Sequence, residues 1–224
     1  MPIKTKIAGD EINKKIKKYL GESVKDAKIL RSLNIDFIKQ RNLGSAGGWN
    51  TGLKYAIKYA FDAAWLMDDD GYPDKKAYEI LKKAFSEKMS CISSVIINEN
   101  DKSKFVFPYP IINKFKIPKN GIYKQNIKLV SNLPSFCKNN LYPWIHPFNG
   151  ILISIEAVKK IGNVNTDYFL YGDEVDYFFR LRKVGKAFSH SKALHFHPEV
   201  SKRPLNKIKI FYLIRNSLIN YKKY

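Results

Sequence analysis

The chain has 224 residues, 45% of them hydrophobic and 14% aromatic, enough to bury one substantial core and better suited to one large domain than to two small ones. Two cysteines, Cys91 and Cys137, exclude a disulfide framework and fit a reducing cytoplasm; no apolar run reaches the roughly 18 residues of a membrane span, and the basic start of the chain lacks the apolar core of a secretory signal. Forty Lys and Arg against 20 Asp and Glu give a net charge of +20, a field that draws nucleic acid, an anionic membrane surface or phosphorylated substrates, although a Lys-, Ile- and Asn-rich composition also arises from AT-biased coding.

In chain order, residues 10–33 read as a helix, with Ile12, Ile16, Leu20, Val24, Ile29 and Leu30 at spacings near three and four. A short strand over 35–39 leads into a glycine-rich stretch, Asn42 to Gly52, and a helix follows over 51–59 with Leu53, Ala56, Ile57 and Ala60 on one face. Ala63 to Met67 reads as a buried strand that ends in Asp68, Asp69 and Asp70. Asp74 is placed to cap a helix running to Lys88. Strands are expected over 91–97 and 104–107, then an irregular segment from Pro108 to Pro143 that suits a substrate loop. A strand over 148–154, helices over 155–161 and 173–184 (Val175, Phe178, Phe179 and Leu181 inward), a strand over 187–196 and a basic amphipathic helix over 205–224 complete the chain. Strands alternating with helices predict an α/β layered domain with a mostly parallel sheet.

The sparse carboxylates fall into two tight clusters. Three consecutive aspartates at the end of a buried strand repel one another, and without a cation that repulsion costs stability. Hard ions such as Mg²⁺ or Mn²⁺ take oxygen ligands and sit between carboxylates and substrate phosphates, and strand ends are where open α/β sheets bind ligands. Gly44, Gly47, Gly48 and Gly52 let backbone approach a ligand, with amides at a helix start facing anionic oxygens. Their spacing is neither that of a Walker loop nor that of the dinucleotide fingerprint. The second cluster, Tyr171-Gly-Asp173-Glu174-Val-Asp176, opens a helix: Asp173 and Asp176 share a face while Glu174 points about 100° away. Capping the positive helix end is the simpler reading of these carboxylates. His195 and His197 alternate on one strand and so share a face, and a pair beside an acidic cluster suits metal ligation.

Asn42-x-Gly-x-Ala-Gly-Gly-x-Asn50-x-Gly52, then Trp65-Leu-Met-Asp-Asp-Asp-Gly-x-Pro73, Phe148-Asn-Gly-x-Leu-Ile-Ser154, Gly-Asp-Glu-Val-Asp-Tyr and Ala193-x-His-x-His-Pro198 follow one another in an order that resembles the family 2 glycosyltransferases of GT-A fold. The resemblance is closest to galactofuranosyltransferase-like and rhamnosyltransferase-like enzymes and covers residues 30–224. It implies a single catalytic domain over 1–224 of GT-A type, Rossmann-like and nucleotide-sugar-binding, with an atypical N-terminal helix over 1–30 in place of the family's first strand. Asp68 and Asp70 then match the Asp-x-Asp motif, Asp68 and Asp69 near the nucleotide and Asp68, Asp70 and His197 on a Mn²⁺ or Mg²⁺ ion. Asn42, Gly44, Gly47, Gly48 and Asn50 fall in the nucleotide-binding region, Trp144, Asn149 and Gly150 in the donor and acceptor wall, and Glu174, with Asp173 as alternate, at the general base. The implied activity is inverting transfer of galactofuranose or rhamnose from a UDP- or dTDP-sugar to a cell-surface glycan or polyprenol-linked acceptor. The implied location is cytoplasmic, with the C-terminal helix able to meet an anionic leaflet. The alternatives are a truncated, non-catalytic homologue or partner subunit, and a basic nucleic-acid-binding module; the latter gives no role to the acidic clusters, so no nucleic-acid partner is expected.

Overall fold

A computed structural model describes residues 36, 38–112, 126–200 and 204–224. The helix expected over 10–33 lies outside them, as do Ile35 and Phe37; Asp36 and residues 38–40 form no strand.

Helix α1 (Gly44–Lys58) precedes β1 (Ala63–Leu66), β2 (Tyr72–Pro73), α2 (Ala77–Ala84), β3 (Met89–Asn98), β4 (Lys104–Pro110) and β5 (Asn126–Leu129). A 3-10 segment (Val130–Phe136), β6 (Leu141–Tyr142), β7 (Ile151–Ser154), α3 (Ile155–Ile161), a 3-10 turn (Thr166–Tyr168), α4 (Asp173–Val184), β8 (Lys186–His197) and α5 (Lys207–Lys223) follow. Segments with one clear period lie where expected: α3 and α4 match their anticipated bounds, and Ser154 caps α3 by accepting from the Ala157 amide. In α4, Phe178 and Leu181 are buried as expected, whereas Val175 is 38% exposed. Asp74 opens a turn, accepting from the Lys76 amide at 2.9 Å, and α2 starts after it and ends at Ala84.

The mostly parallel sheet is not what forms. Of the seven strand pairings among the described residues, six are antiparallel and only β3 with β8 is parallel. β1 and β3 do run the same way, linked through α2, but β7 lies between them in the opposite direction. The physical reason is that Ala-Ala-Trp-Leu in β1 and Ile-Leu-Ile-Ser in β7 are apolar because both sheet faces are covered, and burial carries no information about strand direction.

Alternation along the strands assigns the two faces. Cys91, Ile151 and Ile153 join Leu53, Ala56, Val158, Tyr177 and Leu181 under α1, α3 and α4. Ile92 and Leu152 point the other way, onto Ala77 and Leu81 of α2. Each fully buried Ile or Leu contributes roughly 2 kcal/mol. A third cluster, Val95, Ile97, Phe105, Tyr109, Ile127, Leu133 and Tyr142, closes the far end of β3 and β4. Cys91 and Cys137 are both free.

Candidate active site

The acidic triplet follows β1 and turns back so that Tyr72 and Pro73 pair with Phe196 and His195 of β8. Gly71 permits this turn: a Cβ there would lie 2.3 Å from His195 Nε2 and 3.1 Å from the Phe196 carbonyl oxygen. The pairing delivers Asp70 to the next inward residue of β8, His197. Asp68, Asp70 and His197 each present a ligand atom, all within 4.8 Å of one another. His197 Nε2 is 3.0 Å from Asp70 Oδ1, and its Nδ1 is 2.6 Å from the Pro198 carbonyl oxygen. A carbonyl only accepts, so Nδ1 carries the proton and donates it. Nε2 is thereby aimed at the Asp70 carboxylate, so that the two groups can share one cation. One nitrogen and two carboxylates in this disposition fit a divalent cation, with Pro198 orienting the imidazole. His195 is fully buried, and neither of its ring nitrogens has a hydrogen-bond partner. Its pKa is pushed down to about 4, first by burial and then by the neighbouring His197.

Beside the triplet lies a cavity of about 530 Å³ walled by Ser45, Gly48, Trp49, Gly52, Trp65, Leu66, Met67, Asp68 and Asp69. Its α1 wall differs from the glycine loop expected there. The helix already starts at Gly44, and its first amides are engaged: Gly44 N–H with Asn42 Oδ1 at 3.0 Å, Ala46 N–H with the Phe169 carbonyl at 3.3 Å and Gly47 N–H with the Leu43 carbonyl at 3.3 Å. What meets the cavity is bare Cα surface at Gly48 and Gly52, not a row of anion-binding amides. Asn50 turns away and donates to the Val164 carbonyl at 2.7 Å. Ser45, Trp49 and Trp65 carry no role in the sequence reading; the spacing 45, 48, 49, 52 on one helix face is the signal that marks the first two.

Gly150 sits beside the end of β1, its N–H bonded to the Leu66 carbonyl at 2.9 Å, and Asn149 next to it is buried with its Oδ1 unpartnered. Trp144 packs edge-on against Phe178, ring centroids 4.8 Å apart, and is not among the residues walling the cavity.

Asp173 opens α4 and is 2% exposed. Burial first, then the charge of Glu174 and a hydrogen bond with it, and more weakly the charge of Asp68, push its pKa up to about 8. The two acidic clusters thus feel one another. Glu174 is only partly buried. Asp176, one turn on, serves structure: Arg180 at 2.7 Å, Lys223 at 2.5 Å and the Tyr224 hydroxyl at 2.8 Å surround it. Burial raises the Asp176 pKa, but Lys223, Tyr224 and Arg180 outweigh it and hold the carboxyl below its ordinary range. The segment leading into α4 has positive φ at Phe169 (60°) and Tyr171 (62°). Asn216 of α5 holds it, donating to the carbonyls of Tyr168, Leu170 and Tyr171 at 2.9, 2.9 and 2.6 Å, while Asn220 donates to that of Gly172 at 2.8 Å.

A mixed sheet covered by helices on both faces, with an acidic strand end beside a histidine and the charge of Asp68 reaching a carboxylate-bearing helix, defines an α/β domain of GT-A-like fold with a candidate metal site. The crystal structure of GalNAc-T7 with UDP, GalNAc and Mn²⁺ shares that fold, with a TM-score of 0.61 over 92% of this chain and 39% of that one at 11% identity. The sequence matches no family model. It is 28% identical over 163 residues to galactofuranosyltransferase GlfT1 of Mycolicibacterium smegmatis (71% of this chain, 51% of the relative) and 29% identical over 163 residues to GlfT1 of Mycobacterium tuberculosis (71% and 50%). The chain therefore spans about half the length of the curated relatives it matches. In sequence the chain is similar to galactofuranosyltransferases, and in fold to a glycosyltransferase of GT-A-like architecture.

Proposed function

We propose that the chain is the catalytic part of a metal-assisted, inverting glycosyltransferase that moves galactofuranose, or alternatively rhamnose, from a UDP- or dTDP-sugar to a glycan or lipid-linked acceptor. The observation that carries the reading is the convergence of Asp68, Asp70 and His197, with the histidine tautomer set by Pro198, at the rim of a cavity large enough for part of a nucleotide sugar. The galactofuranosyltransferase relatives favour galactofuranose as the donor sugar.

Asp68, Asp70 and His197 would hold Mn²⁺ or Mg²⁺, which supplies Lewis-acid stabilisation of the charge that develops on the departing diphosphate. Asp69 and the Gly48–Gly52 face of α1 line the space for the donor. Glu174, less buried than Asp173 and at the first turn of α4, takes the proton of the acceptor hydroxyl. As that oxygen bonds to the anomeric carbon, the bond from that carbon to the diphosphate oxygen breaks, its electron pair leaving on the diphosphate. Attack from the opposite side inverts the centre. Asp173 keeps its own proton in the hydrogen bond to Glu174 and holds that carboxylate in place.

Calorimetric titration with UDP and dTDP, with and without Mn²⁺, tests the reading together with a hydrolysis screen over a nucleotide-sugar panel. Mn²⁺-dependent binding that Asp70→Ala abolishes is expected. UDP affinity unchanged by that substitution would remove the metal role; metal-dependent binding with no turnover of any donor would make the chain a non-catalytic homologue.

A further inference from the structure

Helix α5 carries an apolar stripe on the side away from the body of the protein. Its inner face is set by Asn216 and Asn220, both buried, with Tyr212 stacked on Phe169 at 5.0 Å. Opposite, Ile210, Phe211, Ile214, Leu218 and Tyr221 recur at helical spacing and stay 42%, 57%, 57%, 64% and 86% exposed. Scattered apolar residues on a surface need no explanation, but a contiguous stripe marks a contact face. The polar residues around it are of one sign: residues 204–224 hold Lys207, Lys209, Arg215, Lys222 and Lys223 and no Asp or Glu. By angular position Lys207 and Lys222 fall within or beside the stripe, and Arg215 lies just past it.

We infer that this face of α5 docks in the plane of an anionic lipid surface, the apolar side chains entering the acyl boundary and the lysines meeting lipid phosphates. No helix among the described residues is long and apolar enough to cross a membrane, so the contact is with one leaflet. A second copy of the chain is the less suitable occupant: a twofold contact through this face would set Lys207 and Lys222 against lysines of the other copy. The opposite side of the same helix holds the Tyr171 carbonyl, two residues before Asp173. Docking therefore places the segment that leads into Glu174, the candidate base, about one helix diameter, ~10 Å, from the lipid headgroups. That placement, which rests on the transferase reading, suits an acceptor presented by a lipid.

The test is co-sedimentation of the protein with vesicles of phosphatidylcholine alone and with added phosphatidylglycerol. Wild type should partition onto the anionic vesicles and weakly onto the neutral ones. The double variant Ile214→Asp and Leu218→Asp, with circular dichroism and Mn²⁺-dependent UDP affinity unchanged, should lose about tenfold or more of that partitioning, since two apolar anchors become charges. Lys207→Glu with Lys222→Glu should abolish the preference for anionic lipid while leaving the fold intact. Partitioning unchanged in the Ile214/Leu218 variant, no sedimentation of wild type, or a wild-type dimer that the variant dissociates would each overturn the proposal. Loss of UDP binding would count against the transferase reading alone and leave the vesicle result standing.

Discussion

Replacing Asn216 by alanine removes the side chain that ties α5 to the strained segment in front of α4. Its Nδ2 has two hydrogens for three carbonyls, at 2.9, 2.9 and 2.6 Å, so two full bonds is the proper count. At about 1 kcal/mol net each, with a further 1–2 kcal/mol for a carbonyl left dry, the loss is about 3 kcal/mol. The Tyr168 oxygen still receives the Leu170 amide at 2.7 Å, which keeps the figure from rising further. A domain with roughly 5–15 kcal/mol of stability survives that. Once the donors are gone, Phe169 and Tyr171 can leave positive φ, a conformation worth roughly 1–3 kcal/mol of strain per residue, and Asp173 and Glu174 move with them. A shift near 1 Å at a reacting group costs on the order of 100-fold in rate. Urea unfolding followed by tryptophan fluorescence, with steady-state transfer rates, measures both effects; kcat should fall far more than UDP affinity. Asn216→Asp has the same shape but turns only acceptors towards the three carbonyls, and should be worse than alanine. A loss under about 1 kcal/mol with kcat intact, or an aspartate variant as stable as wild type, refutes the reasoning.

Asp173→Asn tests the buried carboxyl. With its pKa up to about 8 against roughly 3.9 unfolded, the native state keeps a proton that the unfolded chain releases, so wild-type stability falls as pH rises from about 4 to about 8 and is level above. The variant should lack that slope and gain on wild type towards pH 8 in metal-free thermal melts; parallel curves would show that Asp173 ionises freely. Gly44→Ala would set a Cβ 1.9 Å from the Phe169 carbonyl oxygen at φ +69°, and should cost about 2 kcal/mol or more in urea titrations. Gly48→Ala meets no atom within 4 Å and should gain up to roughly 1 kcal/mol from helix propensity while weakening UDP binding; undiminished affinity would remove α1 from the donor cavity.

What the sequence disclosed follows from what each signal measures. Periodicity reports burial on a helix, so α3 and α4 were legible to the residue, and a short apolar run closed by aspartates located the end of β1. Strand direction was not legible, because β7 is as apolar between two opposed neighbours as it would be in a parallel sheet. Alternation placed His195 and His197 on one face, but only the Gly71 turn, a pairing between distant segments, decides that His197 reaches Asp70 while His195 is covered. The glycine stretch invited an anion-binding loop, yet Asn42 and the Phe169 carbonyl take up the amides such a loop would offer. The role of Asn216 was not legible from its chemistry, since a polar residue on a basic helix reads as solvated until the segment it holds is known.

Several features of the cleft run against stability and share one remedy. A run of three aspartates follows a buried strand, His197 Nε2 stands 3.0 Å from Asp70, and Asp173 lies buried within reach of the charge of Asp68. The same fold shows that it can satisfy a buried carboxylate fully, for Asp176 has Arg180, Lys223 and Tyr224 around it. The contrast between Asp173 and Asp176, three residues apart on one helix, separates the two roles. One carboxylate is saturated with fixed partners and locks α5 to α4; the other, in the proposed reaction, keeps its proton in the hydrogen bond to Glu174, and it is the charge of Glu174 that a substrate proton changes. A group whose charge must change during a reaction cannot be surrounded by permanent counter-charges, and that requirement explains why the strain in this protein is collected at one cleft.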